Sequence, residues 1–275
     1  MQFFQKLLLG VYNLIKKTGL LEKTLFKKGF WFAYFLYKQY FEDPFFGLTQ
    51  KYPHLFKEGC VLDIGANIGY TATVFSKVIT PGFKVYAFEP DRVNFNSLRE
   101  MVKLRKAKSK IVPIQAAMGE TKGEIELWHN ENHHGDHRIL TQDYKQSGVD
   151  LMKVSVVTMW SVDEFVASEM ANAAVKFIKI DVQGYELPVC LGMQQTLAAN
   201  PDVVVAIEYM PSSMSELGFA PETIFTFFQE QGYFMYLLHK KGKLEPARQE
   251  VIDKLVKNRG YTDLIFSKRE LLASS

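Results

Sequence analysis

The sequence predicts an α/β fold, with a seven-stranded, mostly parallel sheet wrapped by helices and preceded by a helical extension. From Gly59 onward, short apolar runs alternate with amphipathic stretches, the pattern of strands buried on both faces between covering helices. One run, Val61-Leu62-Asp63-Ile64, ends in the turn Gly65-Ala66-Asn67-Ile68-Gly69, which opens a helix at Tyr70. The N-terminal stretch is instead rich in Phe, Tyr, Leu and Lys and shows no strand-like alternation. These shifts in pattern divide the chain into a helical extension over residues 1–55 and an α/β domain over residues 56–275.

The elements follow in order. Phe3, Phe4, Leu7, Leu8, Val11, Leu14 and Ile15 recur at helical spacing, with Lys6, Lys16 and Lys17 off that stripe. A second helix is expected over Trp31 to Phe41. These helices are expected to cap the domain or pair two subunits; the alternative is peripheral attachment to an anionic membrane surface. The apolar stretch from Gly29 to Phe41 is interrupted by Lys38 and falls short of the ~20 residues a spanning helix needs. The strands are expected at Cys60 to Ile64, Lys84 to Phe88, Lys110 to Gln115, Phe177 to Ile180, Val203 to Ile207, Tyr233 to Leu238 and Leu264 to Phe266. Between the third and fourth, Glu124 to His129 and Val154 to Thr158 read as an added strand pair, separated by a polar loop from Asn130 to Val149. A helix over Ser161 to Ala171 leads into the fourth strand.

Bulk properties narrow the function. A net charge of +3 over 275 residues, without a basic aromatic stripe on the α/β portion, argues against nucleic acid as a partner. Cys60 and Cys190 form neither a disulfide scaffold nor a paired metal motif, and no secretory signal opens the chain, so a cytoplasmic location is expected.

The glycine turn lets the backbone bend sharply and approach a ligand beyond the carboxyl ends of the strands. Its spacing is neither the dinucleotide fingerprint nor a phosphate-cradling loop. Asp63 would repel a pyrophosphate but suits a cationic amino group. The second strand ends in Phe88-Glu89-Pro90-Asp91, placing Glu89 where such folds bind ribose hydroxyls. A cationic nucleoside meets these requirements, and S-adenosylmethionine is one.

The chain resembles the FkbM-type methyltransferases. The resemblance rests on Asp63 to Gly69 (DIGANIG), Phe88 to Pro90 (FEP) and Ile178 to Glu186 (IKIDVQGYE), and it runs from about Gly59 to Tyr209. It implies a Rossmann-like class I methyltransferase fold. It also implies methyl transfer from S-adenosylmethionine, usually to a hydroxyl of a sugar or polyketide-like small molecule. Cofactor contacts carry over onto Asp63, Gly65, Asn67, Gly69 and Glu89, and onto Ala117 after the third strand; Ala66, Pro90 and Asp181 are expected to join them. Gln183 stands where many relatives have Glu.

A hydroxyl acceptor calls for a base. Asp181 and Glu208 end neighbouring strands and should face one cleft, where they share a proton or hold a hard cation such as Mg²⁺. In the alternative, Glu208 binds a helix N-terminus or a basic side chain, and Gly184 and Glu186 serve the following turn. The insert from His129 to Arg138 contains His129, His133, His134 and His137. A zinc site there is disfavoured because loop histidines lack fixed geometry. His134 and His137 are the favoured bases, with Gly135 supplying a turn and Asp136 a carboxylate to orient an imidazole. An ordinary solvated loop is the alternative. The acceptor is expected to be a small molecule, glycan or glycolipid. The competing readings are a non-catalytic nucleoside-binding module, a nicotinamide-dependent reductase and a nucleic-acid methyltransferase.

Overall fold

Strand after strand in this chain is apolar on both faces, so each needs cover from above and below, and helices supply it. The computed structural model describes residues 43–130 and 136–272. The strands are β1 (Cys60–Ile64), β2 (Val85–Phe88), β3 (Ile111–Ile114), β4 (Ala117–Gly119), β5 (Gly123–Trp128) and β6 (Arg138–Ile139). They continue with β7 (Val154–Ser161), β8 (Val175–Ile180), β9 (Val204–Tyr209), β10 (Phe234–His239), β11 (Lys243–Pro246) and β12 (Thr262–Ser267).

The main sheet has the order β11-β10-β12-β9-β8-β1-β2-β3. Its neighbours from β3 through β9 are parallel, and β12 lies antiparallel between β9 and β10. Chain order therefore runs outward from β1 to β3, then returns to β8 on the other side of β1. That reversal opens a crevice at the carboxyl ends of β1, β2 and β8.

Seven strands of this sheet were expected and, among the described residues, eight are present. The added one, β11, pairs antiparallel with β10 across a turn in which Lys241 takes φ 58°. Its sequence, KLEP, lacks an apolar run because it is an edge strand, where charge and a terminal proline are tolerated. β12 extends past the run Leu264 to Phe266 because ladder pairing with β9 continues through Thr262, Asp263 and Ser267. The helix expected from Ser161 spans Val162–Glu169. Ser161 caps it, accepting from Glu164 N at 3.1 Å and donating to Glu164 Oε2 at 2.7 Å.

The expected strand pair is β5 and β7, antiparallel, with Leu127 opposite Ser155. It belongs to a second sheet of order β4-β7-β5-β6. The stretch read as a polar loop contains β6 and a helix, Gln142–Gln146, which Thr141 caps. Leu127, Ile139, Tyr144 and Met159 form a separate small core, closed by Tyr185 from the loop after β8.

Residues 44–55, which composition grouped with the extension, belong to the same compact unit as the sheets. Phe56 packs 4.4 Å from Phe177 and 5.3 Å from Phe75, ring centroid to centroid, so it is core. The helices expected over Phe3 to Ile15 and Trp31 to Phe41 lie outside the described residues, as do His133 and His134. Among the described residues, no helix is long and apolar enough to cross a membrane.

Candidate functional site

The glycine turn after β1 is held by both neighbouring strands. Gly65 takes φ 75°, and a Cβ there would fall 1.8 Å from the carbonyl oxygen of Asp181, so the approach of β8 requires glycine. The amides of Gly65 and Ala66 both donate to Phe88 O, at 3.1 and 2.8 Å. Gly69 takes φ 86°, and a Cβ there would lie 2.4 Å from Leu98 Cδ1, so its small size serves the contact with helix Arg92–Leu104.

Glu89 ties this turn to the end of β2. Its Oε2 accepts from Asn67 N at 2.8 Å and its Oε1 from Asp91 N at 2.9 Å. Burial, reinforced by the Asp91 charge, pushes its carboxyl up to about 8 against these hydrogen bonds.

A cleft opens here. Of the residues expected to contact cofactor, Gly65, Asn67, Glu89, Pro90, Ala117 and Asp181 line it. His137 lines it too, and so do Asn94, Gln183 and Tyr185, for which no role had been read. Ala66 and Gly69 shape the turn from behind. Glu208 is not at the wall.

Asp63, expected to meet a ligand's amino group, is fully buried beneath the turn. The cation it meets belongs to the chain: Lys179 Nζ lies 3.6 Å from Asp63 Oδ1, while Thr71 Oγ1 donates to Oδ2 at 2.7 Å. Burial raises the Asp63 carboxyl, and the Lys179 charge opposes that rise. Lys179 also donates to Gly65 O and Asp181 Oδ2, each at 3.1 Å. Burial alone would lower its pKa, but the Asp181 and Asp63 carboxylates outweigh it and hold the ammonium above its ordinary value. The sequence carried a signal for this residue that went unused. Lys179 is the buried one of the two lysines in β8 and stands two positions before Asp181, hence on the same face of the chain.

Asp181 and Glu208 were expected to face one cleft; Asp181 lines it, Glu208 does not, and the two are linked through Gln183. Its Nε2 donates to Asp181 Oδ1 at 2.8 Å and to Glu208 Oε2 at 3.1 Å. Burial works against the Asp181 charge, but Lys179 and the hydrogen bond with Glu208 hold its carboxyl below the usual range. Burial and the Asp181 charge push Glu208 well above it. The pair thus divides into an ionised Asp181 at the cleft and a protonated Glu208 behind it. The positive charge beside Asp181 is that of Lys179. Gln183 and Gly184 both have positive φ, 56° and 107°, and Glu186 Oε1 holds this turn by accepting from Val182 N and Gly184 N. Glu186 is fully buried, and burial pushes its carboxyl up to about 7.

The described histidines have fixed geometry. His137 Nδ1 accepts from Asn130 N at 3.1 Å, and its Nε2 lies 3.8 Å from Asp91 Oδ1. His129 places Nδ1 3.1 Å from Asp91 Oδ2 and Nε2 2.7 Å from Ser155 Oγ. Asp136, expected to orient an imidazole, instead pairs with Arg138 Nε at 2.8 Å. Asp91 is the carboxylate facing the histidines, although it is distant in sequence.

Strand order, glycine turn and acidic strand ends together define the class I, Rossmann-like methyltransferase fold. The chain matches the family described as "Methyltransferase FkbM domain" over residues 63–235 and belongs to that family. It is 29% identical over 147 residues to the hexuronic acid methyltransferase AglP of Haloferax volcanii, a match covering 53% of this chain and 54% of that protein. The chain thus spans about half the length of the curated relative it matches. Similar solved structures include methyltransferase FkbM from Methylobacillus flagellatus (18% identity, 77% of this chain and 44% of that one, TM-score 0.48). Another is the O-methyltransferase TomG from Streptomyces achromogenes in complex with SAM (9% identity, 82% and 80%, TM-score 0.46).

Proposed function

We propose that the protein transfers a methyl group from S-adenosylmethionine to a hydroxyl of a sugar-type acceptor. The observation carrying this reading is the chemistry of the cleft. Glu89 and Asp181 line it, and no lysine or arginine does among the described residues. The ionised Asp181 in such a wall suits a cationic nucleoside and disfavours the pyrophosphate of a nicotinamide dinucleotide. Glu89 would accept the ribose hydroxyls, since each of its oxygens keeps acceptor capacity beyond its one backbone donor. Gly65 and Asn67 would lie against the amino-acid portion. The cofactor's part is an electrophilic methyl on a positively charged sulfur.

The chain's own contribution is placement and proton acceptance. Ionised Asp181 would accept a hydrogen bond from the acceptor hydroxyl and take its proton as the new O–C bond forms. By then the oxygen is far more acidic than a carboxylic acid, so a carboxylate of depressed pKa suffices. His137 is less suited to this step. Its Nδ1 accepts from Asn130 N, leaving the ring proton on Nε2 and no lone pair toward the cleft. The similarity to a hexuronic acid methyltransferase supports a uronic-acid-containing glycan as the acceptor class.

Calorimetric titration with S-adenosylmethionine, its demethylated product and NADH tests the cofactor. Tighter binding of NADH, or saturation by none of the three, would reject it. Methyl-labelled cofactor offered with uronic acid and neutral glycans tests the acceptor, and label on neither removes the sugar assignment.

A further inference from the structure

We infer that Asp91, His129 and His137 form a binding site for a divalent transition metal of the zinc type at the mouth of the cleft. Three separated stretches of chain bring these groups together: the end of β2, the end of β5 and the start of β6. One donor atom from each lies within 4.8 Å of the others. His129 Nδ1 is 3.1 Å from Asp91 Oδ2, and His137 Nε2 is 3.8 Å from Asp91 Oδ1. Donors bound to one tetrahedral ion at about 2.0–2.1 Å sit about 3.3 Å apart. Asp91 Oδ1 is taken by Val93 N and Asn94 N. Asp91 Oδ2 and His129 Nδ1 already stand near that spacing, and His137 Nε2 need close by no more than about 1.5 Å.

Enclosure and surroundings also fit. The side chains of Asp91 and His137 are 5% and 8% exposed, while His129 is 26% exposed and leaves one side open. Two imidazoles and one carboxylate without a thiolate suit zinc, cobalt or a similar borderline ion rather than Mg²⁺ or Ca²⁺. Ser155 Oγ, 2.7 Å from His129 Nε2, can accept the Nε2 proton and so direct the Nδ1 lone pair to the ion. On binding, the proton of His137 would pass from Nε2 to Nδ1, and the Asn130 N–H would turn away. A bound ion would pin the hairpin of β5 and β6 onto the end of β2, two residues from Glu89. The inference does not depend on which group the enzyme transfers.

The full chain, stripped with chelator, should be titrated with Zn²⁺ and with Co²⁺. The expected result is one equivalent bound per chain, a visible Co²⁺ absorption band and a raised Tm in the presence of Zn²⁺. His129→Ala and His137→Ala should each weaken binding by more than about 100-fold and abolish the Tm rise, while Ser155→Ala costs about 10-fold. His239→Ala, remote from the cluster, should bind as wild type. X-ray absorption of the zinc-loaded wild type, which needs no variant to fold, should count two imidazoles. Absence of saturable binding, binding untouched by both histidine variants, or a shell of oxygens alone would overturn the site.

Discussion

Lys179 Nζ lies 3.1 Å from Asp181 Oδ2, two residues along the same strand, and its other side faces buried Asp63 at 3.6 Å. One internal cation therefore compensates two carboxylates, one structural and one at the cleft. Lys179→Met should lower unfolding stability by about 3–5 kcal/mol, because Asp63 would be left charged and unpaired in the interior. Adding Asp63→Asn should recover part of that loss. Urea unfolding of the two variants checks this, and a double variant as weak as the single one would refute the pairing.

Glu89 is the second lever. Glu89→Gln should weaken binding of S-adenosylhomocysteine about ten-fold, since it replaces one of the two carboxyl oxygens with an amide donor and a lost hydrogen bond costs ~1–1.5 kcal/mol. Calorimetry showing unchanged affinity would remove Glu89 from the ribose site.

Asp181→Asn should lower turnover by ~10²–10⁴ once an acceptor is in hand. Cofactor affinity, measured alongside, separates loss of the base from loss of binding. A larger loss of turnover in His137→Ala with affinity intact would return the base role to the histidine.

Glu186 predicts a pH dependence of stability. Its folded pKa, about 7, is raised above the unfolded value near 4.5, so stability is fully present below about 4.5. As pH rises the unfolded chain ionises first, and stability is lost until the folded pKa is passed, on the order of 3 kcal/mol in all. Glu186→Gln keeps one acceptor oxygen for the Val182 and Gly184 amides and should remove this fall. Equal slopes of unfolding free energy against pH for variant and wild type would refute it.

Much of the cleft was legible along the chain because it is local. β1, its glycine turn and the next helix are consecutive, and Glu89 is placed by the parallel pairing of β2 with β1. The orienting carboxylate for the histidines was misread as Asp136, one residue from His137, because spacing favours near neighbours. Arg138 claims that carboxylate in the folded chain. Asp63 was read as facing a ligand because a strand-end acid usually does, yet here the turn covers it and Lys179 meets its charge.

By itself the sequence determined the alternating α/β order, the positions of seven main-sheet strands and of β5 and β7 to within a few residues, the family and the turn that builds the cleft, but not β4, β6 or β11. These follow from hydrophobic period and from backbone conformations that few residues other than glycine adopt readily. Tertiary structure alone decided which charges meet: Lys179 between Asp63 and Asp181, Gln183 between Asp181 and Glu208, and Asp91 against His129 and His137. The contacts of Lys179 with Asp63, of Gln183 with Glu208 and of Asp91 with the histidines join strands or loops whose juxtaposition depends on sheet order and register. Charged groups find partners through burial and distance, and neither is encoded by spacing along the chain.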